Sequence, residues 1–193
     1  TYMRIFLIRH GEAIKLDNDS VLTPEGLEQA KNVAKELLKV KLDFSYVSNL
    51  TRAKQTLEEY KKLNNSVETE VNADLNEIYR VIVGGPKKDG TPEDREEKDK
   101  KKADNFFSHL LKLRKDNIVI FAHGNIIRYF LSKALGIDSK GLWQNMVISP
   151  GSISIIEIDE KRKKQVKAIN LYEHQKQFLD EIFNGKIVSE NNL

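Results

Sequence analysis

Met3-Arg4-Ile5-Phe6-Leu7-Ile8-Arg9-His10-Gly11 decides the fold. From Met3 to Ile8 it is apolar apart from Arg4, the signature of a strand buried on both faces of a parallel sheet, and it ends at once in a polar Arg9-His10-Gly11 triplet. The pattern recurs downstream. Ile118 to Ala122 is a second apolar run ending in His123-Gly124-Asn125, and Phe44 to Val47 leads into Ser48-Asn49-Leu50-Thr51-Arg52-Ala53.

Helices fill the intervals. Thr23-Pro24-Glu25-Gly26 supplies an N-cap, a proline at the first helical position and an acidic first turn, ahead of Leu27, Ala30, Ala34, Leu37 and Leu38. A second helix opens in Ser48–Ala53 and runs to about Leu63, and a third buries Phe106, Phe107, Leu110, Leu111 and Leu113. A fourth follows His123, with Ile126, Ile127, Phe130, Leu131, Ala134 and Leu135 as its apolar stripe and Gly136 as its stop. A short strand is expected near Val67 to Val71, then turn residues through Gly84-Gly85-Pro86. Lys87 to Lys102 is densely charged and reads as a solvated loop or helix start. Ser152 to Ile158 and Gln165 to Leu171 close the sheet as a strand pair, and a short helix is expected after His174. Alternating strands and helices predict a three-layer α/β/α sandwich with a mostly parallel central sheet, in one domain over 1–193. The segment at about 87–104 is its charged surface and the stretch from about 174 a tail.

Composition bounds the function. Against 29 acidic residues the 32 basic ones leave a net charge of +3, too small an excess to suggest nucleic acid. Cysteine is absent, which removes thiolate chemistry and sulfur-ligated zinc. No apolar run approaches the roughly 18 residues of a membrane span, so no membrane contact is expected of this chain. An internal Met3 and an abrupt start are what a chain trimmed at its N-terminus would show, which leaves localisation open.

In parallel sheets ligands bind beyond the carboxyl ends of the strands. There Arg9, His10, Arg52 and His123 would meet. Two histidines and two arginines without further ligands make a poor metal site, since zinc takes at least three protein ligands and arginine repels it. No metal or other cofactor is expected. The same residues suit a phosphate dianion, because guanidinium forks match its oxygens and amides at a helix N-terminus, starting with Gly124, add donors. Cationic neighbours keep an imidazole neutral and nucleophilic, a role that fits His10, with His123 as donor to the equatorial oxygens. Glu77, between Leu75 and Ile78, is the candidate general acid, although a loop glutamate can also be merely solvated. Asn18, Ser20 and Asn125 are candidates to line the pocket, or satisfy backbone groups. Arg128 faces pocket or solvent, Trp143 core or interface, and His109 and His174 the surface.

Leu7-Ile8-Arg9-His10-Gly11-Glu12, Leu22-Thr23-Pro24-Glu25-Gly26, Ser48-Asn49-Leu50-Thr51-Arg52-Ala53 and Ala122-His123-Gly124-Asn125 together resemble the histidine phosphatase (phosphoglycerate mutase-like) superfamily, in the family's order. The resemblance implies a phosphohistidine mechanism with His10 as nucleophile, Arg9, Arg52 and His123 as the phosphate pocket, and Glu77 as proton donor. His123 to Tyr129, Trp143, Pro150 to Ser154, and Leu75-Asn76-Glu77 followed by Gly85-Pro86 are similar to the mitochondrial protein serine/threonine phosphatases of the phosphoglycerate mutase family. Leu16 stands where glycolytic mutases carry asparagine, and the insertion after Glu77 is shorter, so hydrolysis is expected rather than mutase chemistry. The short insertion leaves little to cap the site, which favours phosphorylated serine or threonine of a protein as substrate, with phosphohistidine also in view. A small phosphorylated metabolite is the alternative, and a phosphate-reading scaffold the non-enzymatic one. A mitochondrial location goes with the resemblance if a segment precedes this chain, a cytoplasmic one otherwise. Self-association as a dimer or larger oligomer is left open.

Overall fold

Why the middle of β1 is a continuous apolar run is settled by where its side chains go in the computed structural model, which describes residues 2–16 and 19–172. β1 (Met3–Arg9) sends Met3, Ile5 and Leu7 into one core and Phe6 and Ile8 into another on the opposite face. β6 (Asn117–Ala122) does the same, Ile118, Ile120 and Ala122 against Val119 and Phe121. Full burial of such a side chain is worth about 2 kcal/mol, so both faces must be covered.

The central sheet also contains β4 (Phe44–Val47), β5 (Thr69–Val71), β7 (Ile153–Ile158) and β8 (Lys164–Leu171), in the order β5-β4-β6-β1-β7-β8. β5, β4, β6 and β1 pair in parallel; β7 and β8 are antiparallel. Helices α1 (Pro24–Leu37) and α2 (Thr51–Leu63) cover one face through Val33, Ala34, Leu37, Ala53, Leu57 and Tyr60. On the other face lie α3 (Arg95–Leu110), α4 (Gly124–Leu135) and the short α5 (Leu142–Asn145). This is the three-layer α/β/α sandwich expected from the sequence.

Differences from the sequence reading are local. The interval between Gly11 and Thr23, to which the sequence reading assigns no element, contains an antiparallel hairpin, β2 (Ala13–Leu16) with β3 (Asp19–Leu22), tied to α2 where Thr51 Oγ1 donates to Asp19 Oδ2. Leu38 and Leu135, placed in buried stripes, are exposed, while Val33 is buried. Both misplaced leucines sit at helix ends, where the chain leaves the sheet. Gly136 ends α4 at φ 69°, the left-handed geometry that glycine tolerates. Asn18, His174 and the tail lie outside the described residues. Among the described residues no helix is long and apolar enough to cross a membrane.

Sheet order positions the site. After β1 the chain steps over to β4 and β5, then returns with β6 inserted between β4 and β1. The carboxyl ends of β4, β6 and β1 are therefore adjacent, and the polar ends of all three converge.

Candidate active site

His10 follows the last residue of β1, its N–H donating to Ala122 O at 3.1 Å. Its Nδ1 lies 2.7 Å from Gly11 O, and a carbonyl only accepts, so Nδ1 carries the proton. Nε2 is then a lone pair, and Arg52 Nε donates to it at 3.0 Å from the first turn of α2. Only 8% of His10 is exposed. Burial first, then the charges of Arg52 and Arg9, lower its pKa from 6.5 to about 3, against the opposing hydrogen bond to Gly11. The ring is neutral at pH 7 with its free electron pair toward a cation.

Lowered histidine protonation couples to stability. Between pH 6.5 and 3 the unfolded chain takes a proton that folded His10 refuses, so stability is full above about pH 6.5 and lost as pH falls. One such group costs up to about 1.4 kcal/mol per pH unit in that window. Wild type should lose about 2 kcal/mol more than His10→Asn between pH 7 and pH 5, read from urea midpoints. Equal losses would contradict the buried neutral ring.

His123 is fully buried after β6, its ring centroid 5.1 Å from that of His10. Its Nε2 lies 2.7 Å from Ser48 Oγ. Burial, followed by His10, Arg52 and Arg9, lowers its pKa well below the ordinary value. Arg9 donates from Nη1 to Ile148 O. Arg9 Nε and His123 Nδ1 are both buried without a hydrogen-bond partner, one a donor and the other on a ring beside it in the cluster. A Cβ on Gly124 would stand 3.5 Å from the Arg9 guanidinium and 3.4 Å from Arg128 Nη1, so the backbone there lies close to both cations.

Glu77 is used differently from a solvated loop acid. Its Oε1 accepts from the amides of Asn125 and Ile126, each at 3.1 Å, and from Ile78 at 3.2 Å. It therefore closes the N-terminus of α4, and of the amides expected to face phosphate, those of Asn125 and Ile126 are taken. Desolvation pushes its carboxyl above the usual range, opposed by those amides and by Arg9. A carboxyl so held beside Arg9 can retain a proton and release it to a leaving oxygen.

Asn125 is buried at the cluster, and its Oδ1 accepts from Arg128 Nη1 at 3.1 Å. Arg128 also donates from Nε to Met146 O at 2.8 Å, lies 5.6 Å from the Trp143 ring, and its charge acts on Arg9. Trp143 meets Arg80 as well, at 5.9 Å. Ser20 is paired in the hairpin opposite Lys15, with its N–H donating to Asp19 Oδ1 at 2.7 Å. His109 is exposed and bonded to Tyr46 Oη at 3.1 Å, away from it. Among the described residues no three His, Cys, Asp or Glu side chains come together as a metal site.

Three contributors escape a reading of sequence alone. Thr56, one helical turn past Arg52, accepts from Gly11 N–H at 3.1 Å and so fixes the loop that carries His10. Asn76 accepts from Ser48 Oγ at 2.8 Å, and Gly26 packs directly on the Gly11-Glu12 backbone. The i, i+4 spacing of Arg52 and Thr56 is a usable signal; the other two contacts arise only in the fold.

A model of the histidine phosphatase superfamily (branch 1) matches residues 5–104 and 97–171. The chain is 30% identical over 165 residues to the mitochondrial serine/threonine-protein phosphatase PGAM5 of Xenopus tropicalis, covering 80% of this chain and 59% of that protein. To the Drosophila mojavensis Pgam5 phosphatase it is 28% identical over 187 residues, 84% of this chain and 61% of the other. The chain thus spans about three fifths of the curated relatives it matches. Among solved structures, the α-ribazole phosphatase of Shigella flexneri aligns at a TM-score of 0.73 and 20% identity, over 88% of this chain and 96% of that one. The phosphoserine phosphatase of Entamoeba histolytica aligns at 0.68 and 21%, over 90% and 99%. At such identity these two speak for the fold.

Proposed function

The chain belongs to the histidine phosphatase superfamily, and on that premise we propose that it hydrolyses phosphorylated serine and threonine of proteins through a phosphohistidine at His10. The observation that carries the chemistry is the unprotonated Nε2 of His10, held among Arg9, Arg52 and His123. Nε2 attacks phosphorus, the P–O bond to the substrate breaks, and Glu77 gives its proton to the departing oxygen. Arg9 and Arg52 hold the equatorial oxygens, with the Gly124 amide as a further donor. Water, deprotonated by Glu77, then attacks the phosphohistidine and frees inorganic phosphate and the His10 ring.

What favours a protein substrate is the chain after Glu77. Its turn Arg80–Val83 and α3 bury Ile82, Val83, Ala103, Phe106, Phe107 and Leu110 in the core beside the sheet, so this insertion is spent on packing. The names of the relatives support the same substrate, and a mitochondrial location with it. Specificity constants for phosphoserine and phosphothreonine peptides should exceed those for small phosphorylated metabolites by about tenfold or more, about 1.4 kcal/mol in the transition state. Higher values for metabolites would reverse the substrate reading and leave the mechanism intact.

Glu77→Gln keeps an acceptor for the α4 amides and removes the proton. It should lower kcat/KM, which reports the phosphoryl-transfer step, about 100-fold on alkyl phosphates and far less on activated aryl phosphates, whose departure needs no acid. Equal losses on both would reassign the proton donor.

A further inference from the structure

His123 is held by a hydrogen-bond chain whose directions can be read. Asn49 N–H donates to Asn76 Oδ1 at 3.0 Å; an amide N–H cannot accept, which fixes that side-chain atom as oxygen. Ser48 Oγ lies 2.8 Å from the same oxygen and must give it its one proton, because two oxygens at that distance without a proton would repel. The Ser48 oxygen also receives Leu50 N–H at 3.2 Å. With its proton spent, Ser48 can only accept from His123 Nε2, 2.7 Å away. The neutral ring of His123 therefore carries its proton on Nε2, and its other nitrogen, the partnerless buried Nδ1, is a lone pair.

A lone pair is wrongly disposed toward a phosphate dianion. We infer that Ser48 and Asn76 are positioning residues that fix the protonation of His123, so that a tetrahedral oxyanion enters the pocket together with one proton gained at His123 Nδ1. This rests on the phosphate pocket proposed above. The groups facing His123 are Arg9 and His10 from the end of β1, Arg52 from α2 and neutral Ser48 from the end of β4, while Glu77 is engaged by the amides of α4. In the free protein the two arginines oppose protonation of the ring. A dianion among them offsets their charge and offers Nδ1–H an acceptor, reversing the balance.

The proton count closes in either regime. A phosphate monoester below its second pKa of about 6 brings the proton on its own oxygen and passes it to Nδ1; above that value the proton comes from solvent. The complex holds one proton more than free protein plus dianion. Dianion affinity should then weaken up to tenfold per pH unit between the pKa of His123 in the free protein and its pKa in the complex, and level off above the latter.

The test is imidazole 15N NMR of the full chain at neutral pH, with His123 assigned by its loss in His123→Gln. Sodium sulfate is the probe at constant ionic strength, because sulfate remains a dianion and any proton gained belongs to the protein. The free ring should be protonated at Nε2 alone, and the sulfate-bound ring at both nitrogens. Ser48→Ala should release the lock, populate the Nδ1–H ring before any anion is added, and flatten the pH dependence of sulfate inhibition. Ser48→Thr should restore wild-type behaviour, which a merely structural loss would not predict. Nδ1–H in free wild type, or sulfate bound with His123 still neutral, overturns the inference and leaves the phosphate pocket standing. Failure of the His10 and His123 resonances to respond to saturating sulfate overturns the pocket, and this inference with it.

Discussion

His10→Asn is expected to reduce kcat on the order of 10⁴-fold or more, while inorganic phosphate still inhibits within several-fold of wild type. Asparagine can reproduce the hydrogen bond from Nδ1 to Gly11 O through its side-chain amide, so the loop need not move. What it lacks is the electron pair that Nε2 presents beside Arg52 Nε. Arg9, Arg52 and His123 remain to bind an oxyanion, but water must then attack phosphorus unaided. Steady-state kinetics on an aryl phosphate measure the loss, because transfer from an activated substrate to the enzyme does not depend on the proton donor. A loss below tenfold would mean that the arginine cluster, rather than covalent transfer, carries the rate.

The second large effect is on folding. Gly26→Ala and Gly11→Ala should each destabilise the chain by about 3–5 kcal/mol. A Cβ on Gly26 would stand 2.0 Å from Glu12 O, and one on Gly11 would stand 2.2 Å from Gly26 O. Both obstacles are backbone, so no side chain can rotate away. The approach is close because Thr23 N–H donates to Glu12 O at 3.0 Å while Thr23 Oγ1 caps α1 by accepting from Gly26 N–H at 2.9 Å. Gly90 is a useful contrast, since φ is +73° but nothing lies near its Cβ; Gly90→Ala should cost only about 1 kcal/mol. Urea unfolding of the three variants tests this, and a Gly26→Ala loss no larger than that of Gly90→Ala would refute the backbone contact. Any Gly26→Ala protein that folds should also be impaired in turnover, because the displaced segment carries His10.

The central strands were legible because burial on two faces leaves a continuous apolar run, and their polar ends announced the site. Ile118 to Ala122 and His123 show this best: the strand is apolar because it lies between β4 and β1, and its end is polar because there His123 meets His10 and Ser48 from the ends of those strands. The β2–β3 hairpin was not legible. Ile14 and Leu16 are exposed, so the alternation that marks a half-buried strand is missing. Leu38 and Leu135 fit the helical period, but periodicity does not say where a helix stops touching the sheet. Glu77 was recognised as an acid, yet its bonds to the Asn125 and Ile126 amides depend on a contact across 48 and 49 residues. The wiring of His123 through Ser48 and Asn76 is of the same kind, assembled from the ends of two strands and the turn Ala73–Leu75.

The central claim is that His10 Nε2 carries the phosphoryl group. Rapid mixing with a phosphorus-labelled substrate, an alkaline quench and peptide mapping test it most directly. The expected result is acid-labile label on the peptide containing His10, bonded at Nε2, in wild type and absent from His10→Asn. Equal labelling of the two proteins, or label on another residue that turns over at the rate of catalysis, would contradict it.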